Sequence, residues 1–335
     1  MSRHLLPSSS GPSRRSLVLG GAGLLGLSLS GCGLGTSGGF VPSGQLAGPI
    51  ADVDLSGAKI AVGSKNFTEQ LVLGKMAVIV LRAAGADAPD LTNIPGSSSA
   101  RQAMLENQVQ MQWEYTGTAW IAYLGETTPI PDEQKQYEAV RDRDKKDNDL
   151  IWLPPAPMNN TYGFAGPSET IKKLGITKLS QLSEVPKKDL TFCVESEFNN
   201  RNDGFVPMLK TYGLTKGKDF PDSNVKVLDT GAIYSATDNG TCTFGEVFTT
   251  DGRIKALDLT VLEDDKAFFP KYNVAPVVTE AVMESFPAVA DLFNPVTAKL
   301  TDGVLIELNA QVDVEGKDPA DVAIGWLRSE GFIQK

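Results

Sequence analysis

The sequence predicts an α/β protein of two lobes, each built on a parallel sheet, joined by a two-stranded hinge. Three observations predict it. From residue 58 onward, short apolar runs alternate with longer segments of helical periodicity. Pro154-Pro155-Ala156-Pro157 interrupts that alternation with a stiff segment suited to crossing between lobes. After about Leu259 the pattern reads as a return to the first lobe. The expected boundaries are therefore 57–156 plus 256–335 for lobe I and 157–255 for lobe II.

The N-terminus reads as an export signal occupying residues 1–31. Arg14 and Arg15 precede an apolar run from Leu17 to about Leu29, too short for a membrane span. The run ends at Leu29-Ser30-Gly31-Cys32, which resembles a bacterial lipobox with Cys32 as the lipidated residue. The paired arginines match a twin-arginine signal only in part, so Sec and Tat export both stay open. Residues 32–56, rich in Gly, Ser and Pro, read as a flexible lipid-anchored tether. Two motif matches here carry no chemistry. Gly21, Gly23 and Gly26 lack a strand-turn-helix unit, and Gly35-Thr36-Ser37-Gly38-Gly39 lacks a nucleophile elbow.

Composition excludes several functions. The signal carries three arginines and no acids, so the mature chain holds 28 basic and 41 acidic residues, a net charge of −13. Such a chain is a poor nucleic-acid binder. Its one histidine, His4, falls in the signal, which excludes His-dependent triads and most zinc sites in the mature protein. No catalytic residue, metal or cofactor is expected. Cys193 and Cys242 each lie in a predicted strand; their even number and extracytoplasmic setting suggest a disulfide, with two buried thiols as the alternative.

Taken in order, Lys59–Val62 reads as a buried strand, and Gln70–Met76 opens an amphipathic helix. Between them, Ser64, Asn66 and Thr68 offer capping oxygens, as at the strand-to-helix turns where α/β sheets collect ligands. Asp90–Ile94 and Val109–Trp113 are further strands flanking a helix over 98–107, and Asp132–Asp149 is a charged, solvated helix. Beyond the prolines come strands near Tyr162–Ala165, Leu190–Val194, Val225–Leu228 and Cys242–Phe248. Helices are expected over 179–185, 203–212 and 232–237. Strands near Leu259–Leu262 and Val274–Val278 precede helices over 280–293, 302–312 and 319–330.

Tyr115, Tyr162, Tyr234 and Phe248 fall at turns expected to face the cleft between lobes. An aromatic box without a matching acid suits a quaternary ammonium, which donates no hydrogen bonds and is attracted by ring faces. Two other classes stay open. The same cleft can take an amino acid, polyamine or aromatic compound, or Glu114 and Glu195 can form the carboxylate pair of a glycosidase.

Several pieces occur in register with a known family: Gly63–Gln70, Glu114–Ala119, Asn159–Tyr162, Glu197–Gly204 and Thr250–Arg253. Leu262–Lys266, Phe269-Pro270 and Ala275–Val278 follow. Over nearly all of 58–335 the chain resembles the substrate-binding proteins of osmoprotectant ABC importers, which take glycine betaine, choline, carnitine and related solutes. The resemblance implies a bilobed, type II-like periplasmic-binding fold that closes on its ligand. It implies a quaternary-ammonium cage at Tyr115, Tyr162, Tyr234 and Phe248, the last often Tyr in the family. It implies a carboxylate held by Lys65, Thr118 and Arg201, with Gln70 as a further polar contact and Asn160 at a variable position. It also implies permease and ATPase partners and a lipid-anchored location on the extracytoplasmic face of the membrane.

Overall fold

A computed structural model describes residues 41–334. The export signal and Cys32 lie outside the described residues. Two five-stranded sheets define the two lobes. The first contains β1 (Val62–Lys65), β2 (Asp90–Ile94), β3 (Met111–Tyr115) and β4 (Leu150–Trp152). The second contains β5 (Tyr162–Pro167), β6 (Phe192–Val194), β7 (Val225–Val227), β8 (Phe244–Phe248) and β9 (Leu259–Val261). The chain then returns through β10 (Val274–Thr279), which enters the first sheet between β3 and β4.

Both sheets are mixed, which corrects the expectation of parallel sheets. In the first, β1 runs parallel to β2 and β3, while β10 is antiparallel to both of its neighbours. In the second, β6 is parallel to β7 and β8, while β5 is antiparallel to β8 and β9. Crossing between lobes reverses chain direction, so the strand after each crossing enters against its neighbours. Leu259–Val261, expected to begin the return, is the edge of the second sheet and pairs with β5. The return follows it, and the two crossing segments lie side by side. Ala156 N–H donates to Val274 O (2.8 Å), and Asn273 Nδ2 donates to Met158 O (2.7 Å).

Part of the expected tether is folded. Gln45–Leu46 pairs with Ile333–Gln334, and Leu46, Ile50 and Leu55 are buried. Three apolar side chains and an edge to pair with are enough to dock so short a segment. The first strand begins three residues later than expected, with Lys59 contributing only an isolated bridge to Asp87.

Helix α1 (Thr68–Ala83) was expected to be amphipathic, yet residues 72–81 are buried on every face. The helices Asp302–Asp313 and Pro319–Ser329 cover it. An all-apolar helix is a core helix, and the one lysine inside, Lys75, is paired with Asp90 at 2.5 Å. After α1 come α2 (Ser97–Leu105) and α3 (Glu133–Asn148). α3 is capped by Asp132, but it is not only solvated: Asp144 is buried, accepting from Arg101 and from Trp152 Nε1. In the second lobe α4 (Ser196–Asn200) and α5 (Thr230–Asp238) follow strands β6 and β7, and α6 (Asp302–Asp313) returns to the first lobe. Phe164, Phe192, Phe205 and Phe244 fill the second core, with Phe192 and Phe244 stacked at 5.6 Å. The structure joins Cys193 of β6 to Cys242 just before β8, as compartment and parity suggested.

Candidate functional site

The carboxyl ends of β1, β3 and β8 and the amino end of β5 converge on one cleft. β1 ends at Lys65, and the turn Asn66-Phe67 leads directly into α1. β3 ends at Tyr115, followed by a short helical turn carrying Thr118. From the second lobe, Tyr162 and Phe248 stand directly opposite each other across the β5–β8 pair. A cavity of about 580 Å³ lies between, lined among others by Lys65, Phe67, Tyr162, Glu195, Glu197 and Phe248. A small inner recess adds Tyr115, Thr118, Asn160 and Tyr272.

Rings dominate this centre. Phe67, from the first lobe, and Phe248, from the second, approach to 5.2 Å between centroids. Tyr162 lies 5.4 Å from Phe248 and 5.5 Å, edge on, from Tyr272. Phe67 and Tyr115 are 6.0 Å apart. Burial pushes the hydroxyls of Tyr115, Tyr162 and Tyr272 well above the usual phenol range, so all three rings stay neutral. A neutral, electron-rich ring face attracts a cation that needs no hydrogen bond.

The charges around the rings are mostly paired internally. Lys65 Nζ stands 2.5 Å from Glu114 Oε1, with both side chains buried. Glu114 also accepts from Tyr115 N–H (2.7 Å) and from the Tyr123 hydroxyl (2.7 Å). Arg201 grips Asp203 with two bonds, at 2.7 and 2.6 Å, and donates a third to Glu197. The Tyr115 hydroxyl donates to Glu69 at 2.7 Å. Glu69 accepts from Asn160, Thr250 and Asn309 as well, so this buried carboxylate ties both lobes to the crossing segment. Its burial raises its pKa, and the four donors oppose that rise.

Six of the residues singled out in the sequence meet at this centre: Lys65, Tyr115, Thr118, Asn160, Tyr162 and Phe248. Three lie behind it. Gln70 is buried and accepts from Lys65 N–H (3.2 Å). Arg201 is spent on Asp203 and Glu197, its guanidinium 5.5 Å from the Tyr162 ring. Tyr234 is beneath the cleft, its hydroxyl accepting from Phe248 N–H (3.0 Å) while Arg253 stacks on its ring at 4.2 Å. It supports Phe248 from behind because α5 packs on the sheet with Tyr234 facing inward. Sequence reasoning missed Phe67 and Tyr272 as ring walls. Phe67 was findable, since it fills the residue before α1 in a strand-turn-helix unit. Tyr272 belongs to an irregular crossing with no periodic signal.

Two α/β lobes enclosing a ring-lined cleft are the architecture of the solute-receptor class. Among the described residues no helix is long and apolar enough to cross a membrane. Residues 58–329 match the family described as the substrate binding domain of ABC-type glycine betaine transport system, and the chain belongs to that family. It is 38% identical to a glycine-betaine-binding protein of Pseudomonas aeruginosa, across 82% of this chain and 88% of that one. It is 31% identical to the glycine betaine-binding protein YehZ of Escherichia coli, across 82% and 92% respectively. A solved structure titled as a glycine betaine/carnitine/choline ABC transporter is 28% identical, with a TM-score of 0.66 over 81% of this chain and 98% of that one. These relatives are transport binding proteins, and such receptors act outside the cytoplasm.

Proposed function

We propose that this protein is a lipid-anchored receptor that takes a quaternary-ammonium solute between its lobes and delivers it to an ABC permease with its ATPase. The observation that carries the reading is the meeting of Phe67 and Phe248 across the cleft, with Tyr115, Tyr162 and Tyr272 around them. Each ring face contributes roughly 0.5–2 kcal/mol to a bound cation, more when water is excluded. Cys32 supplies the lipid anchor, in line with the lipobox reading. Lys65, Thr118 and Asn160 border the recess and are the polar contacts of the solute. Gln70, Arg201 and Tyr234 act from behind, orienting Lys65, Tyr162 and Phe248.

Calorimetric titration with choline, glycine betaine and carnitine, beside Tyr162→Ala, tests this. Binding of one of them at micromolar strength, weakened in the variant, supports the receptor. A folded protein giving no heat with all three overturns the quaternary-ammonium reading and leaves the amino acid, polyamine or aromatic class.

A further inference from the structure

Beyond Phe67 and Phe248 lies a second cavity of about 230 Å³, which shares those two rings with the first. Its walls differ in character. They bring together Glu69 of α1, Thr250 and Asp251 after β8, Asn309 and Asp313 of α6, and Asn160 of the crossing segment. The one cationic side chain here, Arg253, is already committed: it donates to both oxygens of Asp251.

The hydrogen-bond inventory of these walls is one-sided. Asn309 is 3% exposed; its amide nitrogen donates to Glu69 (3.2 Å) and to Thr250 O (3.0 Å), while its Oδ1 has no partner among the described residues. Asn160 is 7% exposed; its amide nitrogen also goes to Glu69, and its Oδ1 is likewise unpartnered there. Asp313 accepts from Thr68 through Oδ1 (2.7 Å); its Oδ2 accepts no hydrogen bond and is ion-paired with Arg253 Nη2 at 3.4 Å, a guanidinium it shares with Asp251. The buried side-chain atoms left over on these walls are therefore all acceptors. Buried acceptors without donors are costly, and carboxylates outnumber the guanidinium around them. Among the described residues no group of three or more His, Cys, Asp or Glu side chains is placed to hold a metal ion.

We propose that this second cavity is a subsite for a compact hydrogen-bond-donating cation, an ammonium group carried on the same solute whose quaternary nitrogen lies among the rings. This rests on the quaternary-ammonium reading above and extends it. The ring chamber selects the end of the solute that cannot donate hydrogen bonds. The Asn160, Asn309 and Asp313 oxygens select the end that can. A solute ending in a carboxylate meets acceptors and acidic groups instead, and gains nothing there.

The test titrates the protein with alkyltrimethylammonium ions of two to four methylenes, each ending in –NH3+, –CH3 or –COO−. At one chain length the ammonium form is expected to bind about tenfold or more tightly than its methyl counterpart, as pairing buried acceptors requires. That gain is expected to shrink several-fold in Asp313→Asn and in Asn309→Leu; if Asn309→Leu fails to fold, the near-isosteric Asp313→Asn decides. Equal binding of ammonium and methyl forms at every length overturns the proposal and leaves the ring chamber intact. A wild-type gain that persists unchanged in Asp313→Asn also overturns it. Failure of every member to bind, choline included, strikes the quaternary-ammonium reading itself.

Discussion

The backbone amide of Ser97, the first residue of α2 in the first lobe, donates a 2.8 Å hydrogen bond to Oε2 of Glu197 in the second lobe. The bond spans the mouth of the main cavity, which both residues line. Burial works against the Glu197 charge. The Ser97 hydrogen bonds and the nearby Lys65 and Arg201 outweigh it and hold the carboxyl below its ordinary range. Glu197 is thus a charged clasp between lobes.

Glu197→Ala is expected to speed solute release by about tenfold or more, since a charge-assisted bond is lost and Arg201 keeps only Asp203. Glu197→Gln, which retains an acceptor for Ser97, is expected to fall between. Stopped-flow dissociation measures both. An unchanged release rate in the alanine variant would mean the clasp plays no part in holding the solute.

Phe248 meets Phe67 at 5.2 Å and stands opposite Tyr162. Removing its ring in Phe248→Ala is expected to weaken quaternary-ammonium binding roughly threefold to thirtyfold, the value of one ring face. Phe248→Tyr keeps the face and is expected to stay within about threefold of the parent. Calorimetry checks the pair, and a tyrosine variant as weak as the alanine one would show that shape, not the ring face, governs this position.

Lys65 and Glu114 form an ion pair whose side chains are both buried. Lys65→Met strands a buried carboxylate and is expected to cost about 3–5 kcal/mol of stability, read from urea unfolding. Lys65→Met with Glu114→Gln is expected to recover most of that loss, because the buried charge goes with its partner. A double variant no more stable than the single one would show that the pair does not act as a unit.

The alternation of strands and helices made the two lobes legible, because burial enforces a period on every regular element. What it did not convey was direction. Nothing local in Val274–Thr279 says that it runs against β3 and β4; that follows from where the chain crosses. The same limit applies to the site. Tyr115 and Phe248 end strands and Tyr162 begins one that runs against its neighbour, so strand placement put them on the cleft. Tyr234 lies in the middle of α5, whose packing turns it into the core, where Arg253 stacks on it. Arg201 and Lys65 carry the right charge for a carboxylate, and the structure gives each a buried acidic partner as well, Asp203 and Glu114. Asp203 is two residues from Arg201 and was visible in the sequence. Glu114 is 49 residues from Lys65, and only the parallel pairing of β1 with β3 brings the two together.

Glu246 on β8 is 3% exposed; its Oε2 accepts from Glu195 N–H (2.7 Å), and its Oε1 has no hydrogen-bond partner among the described residues. Burial, with the Glu195 and Glu197 charges adding to it, pushes its carboxyl from 4.5 up to about 8. The folded protein therefore keeps a proton that the unfolded chain has released above its ordinary value. Stability from this group is complete below pH 4.5 and is lost as pH rises towards 8, by at most about 1.4 kcal/mol per pH unit. Glu246→Gln, which imitates the protonated acid, is expected to flatten that decline and to be more stable than the parent at pH 8 by about 1–3 kcal/mol. Near pH 4.5 the two are expected to match. Urea unfolding of both proteins across this range is the measurement. Parallel pH profiles would show that Glu246 is ionised in the folded protein and that the Glu195 amide alone is enough to hold its charge.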